Sequence, residues 1–320
     1  MELVQERHDH DLGLAHDLRV LSRRRMFHLA GVAGASAVVA ACAGGTSKQA
    51  SGTTEAATST ATATDAAACV AAAPAETAGP YPGDGSNGPN VLIESGVVRS
   101  DIRPSFGSYS GSAEGIPTTI DLTLQDITKN CAAGAGMAVY VWHCDRSGDY
   151  SLYSRDAADQ NYLRGVQVAD QNGRVSFTSI FPACYAGRWP HIHFEVFDSL
   201  EAAVAGENAR LTSQIALPEQ ACTAVFRYDT RYVTSVQNIS GVTLSSDNVF
   251  GDGWDAELAT VTGDPASGMT IALTIGVGEK SASTPPDGGP PPFGGPPPNG
   301  PPPNGGPPPE GRPPGPPPWG

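Results

Sequence analysis

An all-β sandwich is the fold class this sequence predicts, and three observations predict it. Two stretches alternate apolar and polar residues with period two, Ile120-Asp121-Leu122-Thr123-Leu124-Gln125 and Met269-Thr270-Ile271-Ala272-Leu273-Thr274-Ile275. Each leaves one face apolar, the pattern of a half-buried strand. Further β-rich runs are separated by turn signals: Met137 to His143, then Asp170-Gln171-Asn172-Gly173, behind which Val175-Ser176-Phe177 resumes the alternation. Helix is scarce, with only Glu201 to Arg210 and Glu219 to Phe226 reading as short helices. Many short strands joined by turns bury their apolar faces by stacking as two sheets.

In chain order, the first element is an export signal. Arg23-Arg24-Arg25 precedes the weakly apolar run Leu29 to Ala41, which at 1.5 Å per residue is too short to span a bilayer and reads as a signal core. Paired arginines ahead of such a run resemble a twin-arginine signal. The run closes on Val39-Ala40-Ala41-Cys42, which resembles a bacterial lipobox, with Cys42 the lipidated first residue of the mature chain. Lipidation on the outer face of the cytoplasmic membrane or envelope and plain secretion both stand, and both place the protein outside the cytoplasm. Residues 42–68 are an Ala/Thr/Ser/Gly segment without apolar periodicity, expected to be a disordered tether. Residues 69–280 hold the sandwich. Residues 281–320 are a Pro/Gly-rich tail, expected to be semi-rigid and solvated, either a spacer or a contact to the cell envelope.

The chain carries 19 Lys and Arg against 33 Asp and Glu, net −14. Phosphate backbones need a clustered basic surface, so nucleic acid is excluded as a partner. The membrane is expected to be touched only through a lipid on Cys42. Removing residues 1–41 removes four of the seven histidines and leaves His143, His191 and His193. It also leaves Cys69, Cys131, Cys144, Cys184 and Cys222 beside Cys42. Outside the cytoplasm such thiols tend to pair, which would leave one over, in a connectivity the sequence does not fix. No CxxC occurs, which argues against a structural zinc knuckle.

The chemistry centres on GRWPHIHFEV, residues 187–196. On a strand, residues two apart point the same way, so Ile192, Phe194 and Val196 share the core face and His191, His193 and Glu195 share the other. Two imidazoles side by side suit two adjacent positions on one metal ion. An HxH pair alone is equally a polar strand face.

Three further runs give that pair a setting, in the order VWHCDRSGDYSLYS (141–154), RGVQVADQNGRVSFTSIFPACYAGRWPHIHF (164–194) and, earlier, PAETAGPYPGDG (74–85). Together they resemble the intradiol ring-cleavage dioxygenases, the family of catechol and protocatechuate dioxygenases, over roughly Cys69 to Val277. The resemblance implies one Fe(III) per chain held by Tyr150, Tyr185, His191 and His193. It implies cleavage of a catecholic ring by O2 to a muconate-type dicarboxylate, with both oxygen atoms incorporated. Tyr185 is implied to leave the metal and take a substrate proton, Arg188 to face the ring and stabilise developing negative charge, and Gln214 to lie near the same ring. Thr77, Pro80 and Tyr81 are implied to line the substrate pocket, though a packing arm accounts for them equally well. His143 matches no ligand and reads as a buried hydrogen-bonding residue or a surface one. Cys184, beside Tyr185, departs from the usual glycine- or proline-containing turn and suggests a disulfide shaping the pocket. The helical dimerisation region of catechol dioxygenases has no counterpart before Cys69, which points to a protocatechuate-like layout or a monomer. Two other functions remain: a non-catalytic binding lipoprotein of the same fold, and an HxH enzyme using zinc or copper.

Overall fold

Alternating strands become a sandwich here because each sheet has one continuous apolar face to bury. The computed structural model describes residues 68–280, and the export signal, Cys42, the tether to residue 67 and the tail from residue 281 lie outside the described residues. Among the described residues the strands are β1 (Pro117–Asp126), β2 (Ala132–Ala133), β3 (Ala138–Trp142), β4 (Arg164–Val168), β5 (Arg174–Ile180), β6 (His191–Phe197), β7 (Leu211–Ala216), β8 (Thr260–Asp264) and β9 (Gly268–Val277). One sheet runs β2-β1-β9-β8, with β5 also paired to β1; the other runs β4-β3-β6-β7. The second sheet is antiparallel throughout, whereas β1 and β9 are parallel, from Thr118 opposite Met269 to Asp126 opposite Val277. Ile120, Leu122 and Leu124 of β1 and Ile271 and Ile275 of β9 meet Val139, Val141, Ile192, Phe194 and Val196 of the facing sheet in one buried cluster.

The expected strands are all present; β1, β5 and β9 extend beyond the expected residues, and β3 is one residue shorter at each end than the run Met137 to His143. The helices differ more. The first, α1 (Leu200–Val204), is a five-residue turn capped by Ser199, not the ten-residue helix expected to Arg210. It stops because Gly206 takes φ +74°, a left-handed conformation that ends a helix, and the chain then extends into β7. The second, α2 (Glu219–Tyr228), matches expectation and buries Ala221, Cys222, Val225 and Phe226. A third, α3 (Ser235–Ser240), carries no apolar pattern that the sequence could reveal.

The cysteine expectation needs correcting. One disulfide joins Cys69 to Cys131, and Cys144, Cys184 and Cys222 are buried free thiols. Each packs as a small apolar side chain inside the core cluster, so no disulfide shapes the turn at Tyr185. Burial pushes the Cys184 thiol up to about 12.

At the far end of the sandwich from the histidines, buried Asp126 receives Arg210 Nη2 at 2.7 Å and Lys129 Nζ at 3.1 Å. Arg210 also donates to the carbonyl of Gly278 at 2.7 Å, tying β1 and β7 to the end of β9. Burial alone would raise the Asp126 carboxyl, but Arg210, Thr128 and Lys129 outweigh it and hold it far below the usual carboxylate range. The folded value lies below the unfolded one, so this stabilisation is complete above the unfolded value, about 3.9, and is lost as pH falls through the folded one. Urea midpoints are expected to drop between about pH 4 and pH 2, and to drop less in Asp126→Asn; parallel curves for the two proteins would show that the pair is not the acid-sensitive element.

Candidate metal centre

His191 opens β6 and His193 follows on the same face, but that face is not solvated. All seven residues of β6 are buried, because loops from both sides of the chain cover the outer face of this sheet. Cross-strand pairing sets His193 between Trp142 of β3 and Gln214 of β7, with Arg164 of β4 beyond Trp142. The Trp142 and His193 rings stack at 5.0 Å and 6°, and Tyr140 stacks on Trp142 at 4.9 Å. This aromatic row fixes the His193 ring plane.

The two tyrosines arrive from loops. Tyr150 lies in the connection between β3 and β4, anchored by its backbone N–H to Ser154 Oγ at 2.9 Å. Tyr185 lies in the connection between β5 and β6, where Asn238 of α3 donates to the neighbouring Cys184 carbonyl at 2.7 Å. Their hydroxyls reach the same atom: Tyr150 Oη and Tyr185 Oη lie 3.4 and 3.2 Å from His191 Nε2, and His193 Nε2 lies 3.1 Å from it.

That crowding decides what the cluster can hold. His191 Nδ1 faces the carbonyl of Trp189, which can only accept, so Nδ1 carries the proton and Nε2 presents a lone pair. One lone pair meets three polar neighbours, more than it can serve as a hydrogen-bond acceptor. Spacings of 3.1 to 3.4 Å suit donors arranged around one cation bonded at about 2 Å, as imidazole nitrogens bond a transition metal. Burial holds both histidines well below their ordinary value, reinforced by Arg188 at each and by His191 at His193, so both imidazoles are neutral donors at pH 7. Burial pushes Tyr150 well above 10, with Tyr185 beside it adding to the rise. It raises Tyr185 to about 12 against the opposing pull of Arg188. These phenols stay protonated until a strong positive charge arrives, and a trivalent cation is the kind that ionises them.

Around this core the sequence-derived pocket residues assemble unevenly. Arg188 donates from Nη2 to Gln214 Oε1 at 2.7 Å and from Nε to Asp247 Oδ2 at 3.0 Å. Gln214 donates in turn to the Thr77 carbonyl at 2.9 Å. Thr77 thus takes part through its backbone, while its hydroxyl accepts from Gly79 N–H. Gly79 sits at φ +70°, and a Cβ there would lie 3.2 Å from the His193 ring, so only glycine lets this segment approach so closely. Tyr81 packs against Tyr150 with centroids 5.0 Å apart and the rings tilted by 35°. Pro80 is exposed, and its carbonyl accepts from Asn87. The 77–81 segment therefore lies over the centre and packs at the same time. His143 is buried between the Cys144 carbonyl and Ser179 Oγ, each at 2.7 Å.

The family model described as Dioxygenase matches residues 110–221. Solved structures similar to this chain include the intradiol ring-cleavage dioxygenase from Tetranychus urticae, 26% identical, covering 67% of this chain and 98% of that one with a TM-score of 0.49. A second, the dioxygenase Tetur07g02040, is 25% identical over 68% of this chain and 98% of that one, with a TM-score of 0.50. In its matched segment and in its fold the chain is similar to the intradiol ring-cleavage dioxygenases. A third similar structure, 3-chlorocatechol 1,2-dioxygenase from Rhodococcus opacus 1CP, is 16% identical over 56% of this chain and 64% of that one, with a TM-score of 0.36. The dioxygenase match contains Tyr150, Tyr185, Arg188, His191, His193 and Gln214, whereas Thr77, Pro80 and Tyr81 lie before it.

Three residues around this centre had no assigned role in the sequence reading. Trp142 is the second residue of the stretch 141–154 and Arg164 the first of the stretch 164–194, and their positions across β3 and β4 explain why those residue types occur there. Asp247 sits in a polar loop after α3, with no local pattern that could mark it.

Proposed function

We propose that this chain is a non-haem Fe(III) intradiol dioxygenase that opens the ring of a catecholic aromatic with O2, giving a muconate-type dicarboxylate. The observation that carries this reading is the gathering of Tyr150 Oη, Tyr185 Oη and His193 Nε2 on the single lone pair of His191 Nε2. Two phenolate oxygens and two neutral imidazoles form a hard, dianionic donor set, which favours ferric iron over softer or divalent ions. Bound there, ferric iron would supply the charge that ionises a catechol and draws electron density from its ring, making the ring reactive toward O2.

The chain's own residues do the rest. Tyr150 is fully enclosed and stays in place, held by the Tyr81 ring. Tyr185 is half-buried at the open side, so its Oη is the atom placed to take a proton from an incoming catechol. Arg188 keeps its charge at any working pH and lies beside Tyr185, where it stabilises negative charge developing on the substrate. Gln214 holds that guanidinium, and the Thr77–Tyr81 segment keeps water away from the buried side.

The proposed setting is outside the cytoplasm, on the strength of the arginine pair and the run ending at Cys42. Purified protein is expected to bind about one iron per chain, to show a tyrosinate-to-iron absorption band, and to consume O2 with a small catechol while forming a muconate. Colourless protein that takes up zinc or copper but not iron sinks this reading, as does an extradiol semialdehyde product.

A further inference from the structure

The guanidinium of Arg188 is gripped from two sides, and one grip comes from beyond the residues that match the dioxygenase family model. Asp247 lies 59 residues after Arg188, between the 3-10 turns Leu244–Ser246 and Phe250–Asp252. Its side chain has no accessible surface, and both carboxylate oxygens are committed. Oδ2 accepts from Arg188 Nε at 3.0 Å and from the Trp189 backbone N–H at 2.7 Å. Oδ1 accepts from the N–H groups of Val249 at 2.9 Å and Phe250 at 3.2 Å. The Phe250 ring, itself fully buried, lies beneath the Arg188 guanidinium at 6.0 Å. One carboxylate therefore fixes the arginine, the peptide that leads into His191, and the aromatic ring against which the arginine rests.

A buried carboxylate is costly to desolvate and is retained where its bonds accomplish something specific. Here they remove rotameric freedom from a long side chain whose usefulness depends on where its charge points. A donor that must stabilise charge only as it develops is effective when it is oriented beforehand. Gln214 constrains Nη2 alone, which leaves the plane of the guanidinium to be set through Nε. Resting on the function proposed above, we propose that Asp247 is a positioning residue that sets the guanidinium plane of Arg188 for catalysis, acting through the Nε–H···Oδ2 bond.

The test uses the iron-loaded protein and two readouts. In Asp247→Asn, kcat for catechol is expected to fall roughly 10- to 100-fold, with iron content and absorption band retained. In an Arg188→Gln background the same substitution is expected to cost less than about 2-fold, since neighbouring residues that act together are not additive. Additive losses, or an unchanged kcat in Asp247→Asn, overturn the proposal. The second readout needs no activity: labelling of Arg188 by phenylglyoxal, followed by mass spectrometry, is expected to be slow in the parent protein and several-fold faster in Asp247→Asn. Equal labelling rates also overturn it. If Asp247→Asn does not fold, Arg188→Lys decides the matter, because lysine keeps the charge but lacks the Nε–H that Asp247 receives. A kcat as low as that of Arg188→Gln supports positioning, and a kcat near the parent value overturns it. Parent protein that binds iron but opens no catechol ring would remove the proposed function while leaving the labelling comparison to judge Asp247.

Discussion

Tyr150→Phe is expected to yield a folded protein that has lost most of its iron, its absorption band and its ring-cleaving activity. The substitution removes one oxygen atom and preserves the ring that Tyr81 packs against at 5.0 Å. Tyr150 is 1% exposed, so the lost hydroxyl had no water to lose, and thermal stability should change little. The effect falls on the metal. Residues behind a ligand typically cost about 10- to 100-fold in affinity or activity when lost, and a ligand should cost more than that. Iron per chain, measured after gel filtration into iron-free buffer, is the direct check, with oxygen uptake beside it. A Tyr150→Phe protein that keeps both iron and turnover would show that the centre is built from other donors.

Arg164→Met is expected to be the most destabilising single change in the site. Arg164 is 1% exposed, yet all its nitrogens are occupied. Nε donates to Ser151 Oγ at 2.9 Å, Nη1 to the Pro82 carbonyl at 2.8 Å and Tyr140 Oη at 3.2 Å, and Nη2 to the carbonyls of Tyr81 at 3.0 Å and Ser151 at 2.9 Å. It joins the loop that carries Tyr150 to the segment that covers the centre. Methionine fills much of the volume but leaves buried carbonyls unpaired, each worth about 1–3 kcal/mol. With the Tyr81 and Ser151 carbonyls left unpaired, a loss of about 2–6 kcal/mol in urea unfolding is the expected result, with early proteolytic cleavage between residues 77 and 83. Gly83 belongs to the same joint: at φ +67°, a Cβ there would lie 2.8 Å from Arg164 Nη1. A loss below about 1 kcal/mol, the scale of an ordinary hydrogen bond, would mean that the segment is held some other way.

These two residues also mark how far the sequence reaches. Period-two alternation identified β1 and β9, and the HxH pattern correctly put both imidazoles on one face of β6, because strand geometry is local. The four converging side chains were nameable from motifs in which Tyr150 and Tyr185 keep their order before the histidines. What local pattern could not show was that the histidine face is covered, since the cover comes from residues 77–83 and 143–163. Arg164 was visible as part of a motif but its partners were not, because they are carbonyls, which leave no trace in residue identity. Asp247 was hidden for a related reason: its value depends on an arginine 59 residues earlier. The cysteines misled because a thiol inside a core and a thiol awaiting a partner look the same in a sequence. The helix expected to reach Arg210 fails at Gly206, a small residue whose left-handed backbone outweighed the helical composition around it.

The corner where Cys69 joins Cys131 has a mechanical meaning. Ala73 N–H bonds the carbonyl of Gly276 at 2.9 Å, so the chain enters the sandwich beside the place where β9 leaves it. Asp126 and Arg210 close the same corner. Arg210 N–H bonds the Val196 carbonyl near the end of β6, whereas His191 opens that strand about 17 Å away at 3.3 Å per residue. Tension applied at either end of the domain is therefore borne by a covalent cross-link, a parallel strand pair and an ion pair clustered together. The donors around His191 lie at the other end of β6, away from that corner.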